Sequence, residues 1–289
     1  MGMVPMKNVV ITGATSGIGL AVCESLLLSG HRVIGIGRSA ESSEKALSYL
    51  ISKTNDADIT FFNADLMQME EVRIVSAKIM EYIDTNWDGK LDVLINNAGC
   101  VRSRYCTTKE GYEQQFALNH LAAFLMTYSL INPLIKSKGR VIITSSESHK
   151  GMKIRWDDLM FTRFYRPLMA YKQSKLANML FSFGLNDRYS VYGIRAYCID
   201  PGLVNTEIGL KQTFGIVSLA WSLRRKKGVQ PDVPAKTYLY LVESDKHPVG
   251  LYIHKNKPKE YSSYVNRENA DRLWKISEKL CSIEFGRFQ

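Results

Sequence analysis

Residues 8–19 read Asn8-Val9-Val10-Ile11-Thr12-Gly13-Ala14-Thr15-Ser16-Gly17-Ile18-Gly19, and this stretch decides the fold. A short β-branched run ends in a glycine-rich turn, and the turn opens an amphipathic stretch over 18–29. Residues without Cβ at Gly13, Gly17 and Gly19 let bare backbone approach a pyrophosphate, whose charge then faces the helix N-terminus. A glycine-rich turn alone is a weak signal. Its position at the first strand–helix junction is what makes it informative.

Working outward, similar short apolar runs recur at 32–36, 59–63, 91–95, 140–144, 194–199 and 251–254. Longer stretches with helical periodicity lie between them, over 67–82, 112–135 and 170–189. Strands that alternate with helices predict an α/β protein, and nearly continuous apolar strands predict a sheet covered on both faces. The expectation is one Rossmann-type, doubly wound parallel sheet of about seven strands in a single domain over 1–289.

The residues just after each run carry the chemistry. Gly37-Arg38-Ser39 comes after the second run, Ala64-Asp65-Leu66 after the third and Asn96-Asn97-Ala98-Gly99 after the fourth. Ser145-Ser146 comes after the fifth and Asp200-Pro201-Gly202 after the sixth. In parallel strands these groups share the carboxyl edge of the sheet, where open α/β sheets bind ligands.

Composition sets the outer limits. The chain has 289 residues, 45% of them hydrophobic and 23% charged, enough for a sizeable core. The formal net charge of +10 is dispersed and predicts a solvated basic surface; no nucleic-acid motif accompanies it. Five scattered cysteines, without a Cys-x-x-Cys pair, predict neither a disulfide framework nor a zinc site, so no metal is expected. No window holds the ~20 apolar residues of a membrane span. Residues 1–7 are too short for a signal peptide, and Met6 stands where a myristoylation motif needs Ser or Thr. The expectation is a cytoplasmic protein.

At the end of the second strand, NAD-dependent enzymes place a carboxylate on the ribose 2′-hydroxyl. Gly37 removes that acid and Arg38 offers a planar charged fork to a 2′-phosphate, with the Ser16 hydroxyl beside it. The predicted cofactor is NADP(H).

Tyr171 and Lys175 lie four residues apart in a helical pattern and project from one face. An ammonium ~4.5 Å from the phenol, at an effective dielectric of ~20, contributes roughly 3.7 kcal/mol, or nearly three pKa units. This predicts a phenol titrating near neutrality, able to give its proton to a carbonyl that receives hydride from the nicotinamide. Ser146 is expected to hold the substrate oxygen.

The ordered set Thr12-Gly13, Gly17-Ile18-Gly19, Asp65, Asn96-Asn97-Ala98-Gly99, Asn119, Ser146, Tyr171, Lys175 and Pro201-Gly202 resembles the short-chain dehydrogenase/reductase family over nearly the whole chain. The resemblance implies a catalytic tetrad of Asn119, Ser146, Tyr171 and Lys175, in which Asn119 holds a water in a proton relay past Lys175. It further implies a cofactor site of Gly13, Thr15, Ser16, Gly17, Ile18, Gly19, Arg38 and Ser39 at the glycine turn and second strand. Asp65 and Leu66 would flank adenine, Asn97, Ala98 and Gly99 the adenosine ribose, and Pro201, Gly202, Val204 and Thr206 the nicotinamide and its phosphate. Tyr171 and Lys175 belong to both sets, Lys175 by a hydrogen bond to the nicotinamide ribose. A homodimer or homotetramer is implied by the same resemblance.

The 25-position gap between Ser146 and Tyr171, Asn119-His120-Leu121, Ser174-Lys175-Leu176-Ala177-Asn178 and Arg272-Leu273-Trp274 are similar to the retinol dehydrogenase-like branch. Ala122 departs from the glycine that commonly comes after the Asn, and the N-terminal anchor of microsomal members has no counterpart in the pattern. That branch implies a small hydrophobic carbonyl or alcohol as substrate: retinal-like, steroid or lipid-derived.

Two segments are candidates to cover the substrate, the first with plain packing on the fold as an equal alternative. One is 152–169, with Trp156, Phe161, Phe164 and Tyr165; the other is 207–228. Within the second, 214–223 is apolar on nearly every helical face and runs into Arg224-Arg225-Lys226-Lys227, which reads first as a solvated helix end and, as the alternative, as a point of peripheral membrane contact. His149 carries little catalytic weight in this reading. From another functional class, the alternative is an NADPH-binding sensor or scaffold without turnover.

Overall fold

The computed structural model describes residues 5–54, 57–206 and 228–286. Strands β1 (Asn8–Thr12), β2 (Arg32–Gly37), β3 (Ile59–Asn63), β4 (Val93–Asn96), β5 (Arg140–Thr144), β6 (Arg195–Ile199), β7 (Tyr252–His254) and β8 (Lys257–Pro258) form one sheet in the order β3-β2-β1-β4-β5-β6-β7-β8. The first seven are parallel. β8, an eighth strand the sequence pattern did not predict, returns antiparallel to β7 through Lys255 and Asn256, both at positive φ. Two residues are too short a run for periodicity to register.

Period-two alternation divides the core between the two faces of the sheet. Along β1, Val9 and Ile11 join Val22, Leu26 and Tyr238 on one side, while Val10 joins Val72, Ile79 and Leu94 on the other. Helices α1 (Gly17–Leu28), α2 (Ala40–Lys53) and α8 (Asp232–Glu243) cover the first face. Helices α3 (Met69–Asn86), α5 (Ala122–Ser129), α7 (Pro167–Tyr189) and the C-terminal α9 (Arg267–Cys281) cover the second. Pro167 sits in the first turn of α7, where a missing N–H leaves no bond unmade.

Strand order reverses between β1 and β4, so the crevice opens at the carboxyl ends of those two strands. The periodic stretch 112–135 is not one helix. It breaks into α4 (Gln114–Phe116), a π-turn at Ala117–Leu121, α5, and α6 (Ile131–Ser137). π-turns are rare and often occur at functional sites. This one carries Asn119, and the methyl of Ala122, the first residue after the turn, is accommodated in the core at 3% exposure.

The insertion 152–169 mostly packs on the fold. Phe161 is buried, the Arg272 guanidinium lies 4.5 Å over the Trp156 ring, and the Tyr165 hydroxyl donates to Glu113 Oε1 at 2.8 Å. Phe164 is exposed, and Leu168 alone of this segment lines the cleft. The segment 207–227, with its apolar stretch and basic run, lies outside the described residues. Among the described residues, no single helix is long and apolar enough to cross a membrane.

Candidate active site

A cleft of about 1600 Å³ runs along the carboxyl edge of the sheet. Every residue expected at the cofactor lines it except Gly19, and of the expected catalytic residues Ser146, Tyr171 and Lys175 line it while Asn119 sits behind its wall. Both exceptions have a geometric reason.

Gly19 lies beneath the turn, and a Cβ there would stand 2.0 Å from the Gly13 carbonyl oxygen. The first helix can approach the first strand this closely only with a bare Cα. Gly13 has φ +68° and would bring a Cβ to 3.0 Å from Ala98 Cα. Gly17 has φ +55° and faces Thr206, which folds the 201–206 loop over the glycine turn. Such a cradle, open only because three side chains are missing, fits the diphosphate of a dinucleotide.

Thr12 was not among the expected site residues, yet it ties the turn to the Asn-Asn-Ala-Gly loop. Its Oγ1 accepts from the Asn97 amide at 3.0 Å and the Ala98 amide at 2.9 Å. Asn97 Nδ2 returns a bond to the Thr12 carbonyl at 3.1 Å. The signal was present: Thr12 opens the glycine motif.

At the end of β2, Gly37 has no room for a side chain, since a Cβ would meet Ser43 Oγ at 2.3 Å and Thr15 Cγ2 at 2.6 Å. Any side chain here, a carboxylate included, would collide with both groups. Arg38 is exposed on the cleft wall and forms no ion pair among the described residues, and Ser39 caps α2 by accepting from the Ser42 amide. Asp65 Oδ1 accepts from the Met67 amide at 3.2 Å, shaping the turn that presents Leu66. Arg102, also missed by the sequence reading, is buried on the same wall and donates from Nε to Gln114 at 2.7 Å.

The catalytic face of α7 meets the end of β5. Lys175 is 2% exposed; its Nζ donates to the Thr144 carbonyl at 3.0 Å and lies 5.5 Å from the Tyr171 ring centroid. The Ser146 hydroxyl is hydrogen-bonded to the Tyr171 phenol. Asn119 uses its whole amide behind them. Its Oδ1 accepts from the Cys100 amide at 2.7 Å, and its Nδ2 donates to the Cys100 carbonyl at 3.1 Å and to Ser174 Oγ at 2.9 Å. Ser174 in turn donates to the Tyr171 carbonyl at 2.7 Å. Asn119 thus joins the loop after Gly99 to the helical turn that carries the tyrosine.

Electrostatics correct one expectation. Burial pushes the Tyr171 phenol well above its ordinary range, against a lowering contribution from Ser146. Burial also pulls Lys175 down from 10.5 to about 8. The anticipated acidification treated the ammonium as a full charge acting through a polar medium. Here both groups leave water together, so each charged form is penalised and the phenol is held as a neutral acid.

Nearer the mouth, Lys259 bridges Asp200 Oδ2 at 2.9 Å and Glu147 Oε1 at 3.1 Å. Asp200 also accepts from the Gly202 amide at 3.0 Å, and together these bonds hold its carboxyl below the usual range. The ion chain ties the ends of β5 and β6 to the chain after β8. Neither Lys259 ion pair was legible in the sequence, since each joins segments more than fifty residues apart.

The short chain dehydrogenase family matches this chain over residues 7–213. Retinol dehydrogenase 12 of Mus musculus is 34% identical over 286 residues, covering 98% of this chain and 88% of that protein. Retinol dehydrogenase 13 of Homo sapiens is 34% identical over 294 residues, covering 97% and 86%. Polyprenol dehydrogenase of Homo sapiens is 31% identical over 295 residues, covering 96% and 86%. Among solved structures, an uncharacterised protein from Mycobacterium paratuberculosis superposes with a TM-score of 0.75 at 27% identity, covering 98% of this chain and 97% of that one. The chain belongs to the short-chain dehydrogenase/reductase family of oxidoreductases.

Proposed function

We propose that this chain interconverts a carbonyl and an alcohol on a hydrophobic substrate, using NADP(H), with Tyr171 as the acid that protonates the carbonyl oxygen. The observation that carries this reading is the meeting of three groups in one cleft. The Ser146 hydroxyl pairs with the Tyr171 phenol, and the Lys175 ammonium lies over the same ring. The bound dinucleotide supplies hydride. Ser146 holds the substrate oxygen beside the phenol, and Tyr171 gives up its proton as negative charge develops there. Lys175 holds the nicotinamide ribose and stabilises the phenolate left behind, and Asn119, its side chain committed to Cys100 and Ser174, keeps the tyrosine turn in register.

Arg38 receives the 2′-phosphate, with no carboxylate at Gly37 to repel it. Asp65 and Leu66 flank adenine, Asn97, Ala98 and Gly99 the ribose, and Pro201, Gly202, Val204 and Thr206 the nicotinamide and its phosphate. The relatives named for retinol and polyprenol support an apolar alcohol or its carbonyl counterpart as substrate. The protein is read as cytoplasmic with peripheral membrane contact, and as a homodimer or homotetramer.

NADPH consumption over a panel of retinal-like, steroid and lipid aldehydes and ketones, in wild type and Tyr171→Phe, tests the reading. The variant is expected to bind NADPH, seen by nucleotide fluorescence, and to lose roughly 100-fold or more in turnover. Equal turnover would remove Tyr171 from the chemistry. Binding without turnover in the wild type, over the whole panel, would favour a sensor.

A further inference from the structure

We propose that His149 is a positioning residue: one tautomer of its imidazole holds the Ser146 peptide, and with it the hydroxyl that pairs with Tyr171. The inference rests on the reading of Ser146 as a catalytic hydroxyl.

His149 closes the short 3₁₀ turn Glu147–His149 and has no exposed surface. Its Nδ1 lies 2.7 Å from the Ser146 carbonyl oxygen, a group that can only accept. Its Nε2 lies 3.4 Å from the Ser262 amide nitrogen, a group that can only donate. The two partners make opposite demands, and only the neutral ring protonated at Nδ1 satisfies both. The ring meets Tyr252 of β7 edge-on, at 5.0 Å between centroids. It is therefore clamped between its own turn and two groups far along the chain, Tyr252 and Ser262.

On the other side of this clamp is the serine. The Ser146 carbonyl also accepts from the His149 backbone amide at 3.2 Å, and Ser146 Oγ accepts from the Ser148 amide at 3.2 Å. The shortest bond to this peptide is the one from the imidazole. Rotation of the peptide would swing the Ser146 side chain off the phenol. The Ser262 end is anchored independently, because Lys259, three residues earlier, is tied to Asp200 and Glu147. His149 thus transmits the position of the segment after β8 to the serine turn.

Three substitutions separate a donor at Nδ1 from mere filling of space. His149→Asn keeps a side-chain N–H near the Nδ1 position, His149→Gln offers one only near Nε2, and His149→Phe keeps a ring with neither. With NADPH and a carbonyl that the wild type reduces, kcat is expected to fall roughly 10–100-fold in the Gln and Phe variants. Asn is expected to recover most of that loss. NADPH affinity, read by fluorescence, and the KM for the carbonyl should change little. In nitrogen-labelled wild type, NMR should show a slowly exchanging imidazole N–H at Nδ1 of His149. An Nε2-protonated ring would overturn the proposal, as would equal losses in the Asn and Gln variants. Ser146→Ala is the control. If it leaves kcat unchanged, the reading of Ser146 fails; if it abolishes turnover while all three His149 variants stay at wild-type rates, the positioning role alone fails.

Discussion

The Lys175 Nζ lies 5.5 Å from the centre of the Tyr171 ring and donates to the Thr144 carbonyl at 3.0 Å, so the amine is fixed at once to the phenol and to the end of β5. Burial acts oppositely on the two titrations, raising the phenol and lowering the amine to about 8. The phenol therefore stays a neutral acid across the working range, while the ammonium is charged only below about 8.

The rate of carbonyl reduction is expected to hold level below that value and to decline as pH rises through about 8, when Lys175 loses its charge. A kcat/KM profile in the reduction direction measures this. A level profile up to about pH 10 would remove the ammonium from the reaction.

The same shift links to stability. The folded pKa of about 8 lies below the unfolded value of 10.5, so between them the unfolded chain binds more protons. Stability from this group is complete above the unfolded value and is lost as pH falls through the folded one. Urea unfolding of the wild type should show a gain of roughly 3 kcal/mol from this group across the window. Lys175→Met should lack that gain, and should match or exceed wild-type stability at pH 7 while losing turnover. Parallel pH curves for the two proteins would contradict the buried amine.

Arg38 bears on the choice of cofactor. Arg38→Ala should weaken NADPH binding by roughly 10–100-fold, the loss of charge-assisted bonds to a phosphate, and leave NADH binding unchanged. Fluorescence titration with both nucleotides reads the difference. Equal effects on both would place the 2′-phosphate elsewhere.

Gly19→Ala puts a methyl carbon 2.0 Å from the Gly13 carbonyl oxygen, and backbone rather than a flexible side chain must move. Overpacking of this kind costs about 1–3 kcal/mol. The melting temperature should fall and dinucleotide affinity should fall with it, because the moving carbonyl belongs to the cradle.

Tyr165 and Glu113 anchor the insertion to the helix that leads into the π-turn. Glu113 is 1% exposed, and burial raises its carboxyl although the Phe116 amide donates to it at 2.7 Å. Tyr165→Phe removes one donor from that carboxylate and one of the two acceptors of Gln115 Nε2, at a cost of about 1–3 kcal/mol in urea unfolding. Unchanged stability would mean that this contact does not hold the insertion.

Much of the site was legible because its signals are local. The glycine turn, Gly37-Arg38, Asn97-Ala98-Gly99 and the Tyr171–Lys175 spacing each lie within a few residues, and all but the buried Ala14 and Gly19 line the cleft. The helical reading of 112–135 missed the π-turn at Asn119, since inserting one extra residue into a helical turn barely disturbs an apolar stripe. His149 was given little weight for a similar reason: a lone histidine has no periodicity, and its two partners, Ser146 and Ser262, are 116 positions apart.

By itself the sequence determined the parallel sheet, the edge on which the site lies and the residue types gathered there, because alternation, turn chemistry and glycine requirements act over a few bonds. Tertiary structure alone decided the direction in which Tyr171 titrates, the tautomer of His149 and the salt link from Lys259 to Asp200. Those depend on how much water each group loses and which distant group it meets, and both are settled only when the chain closes on itself.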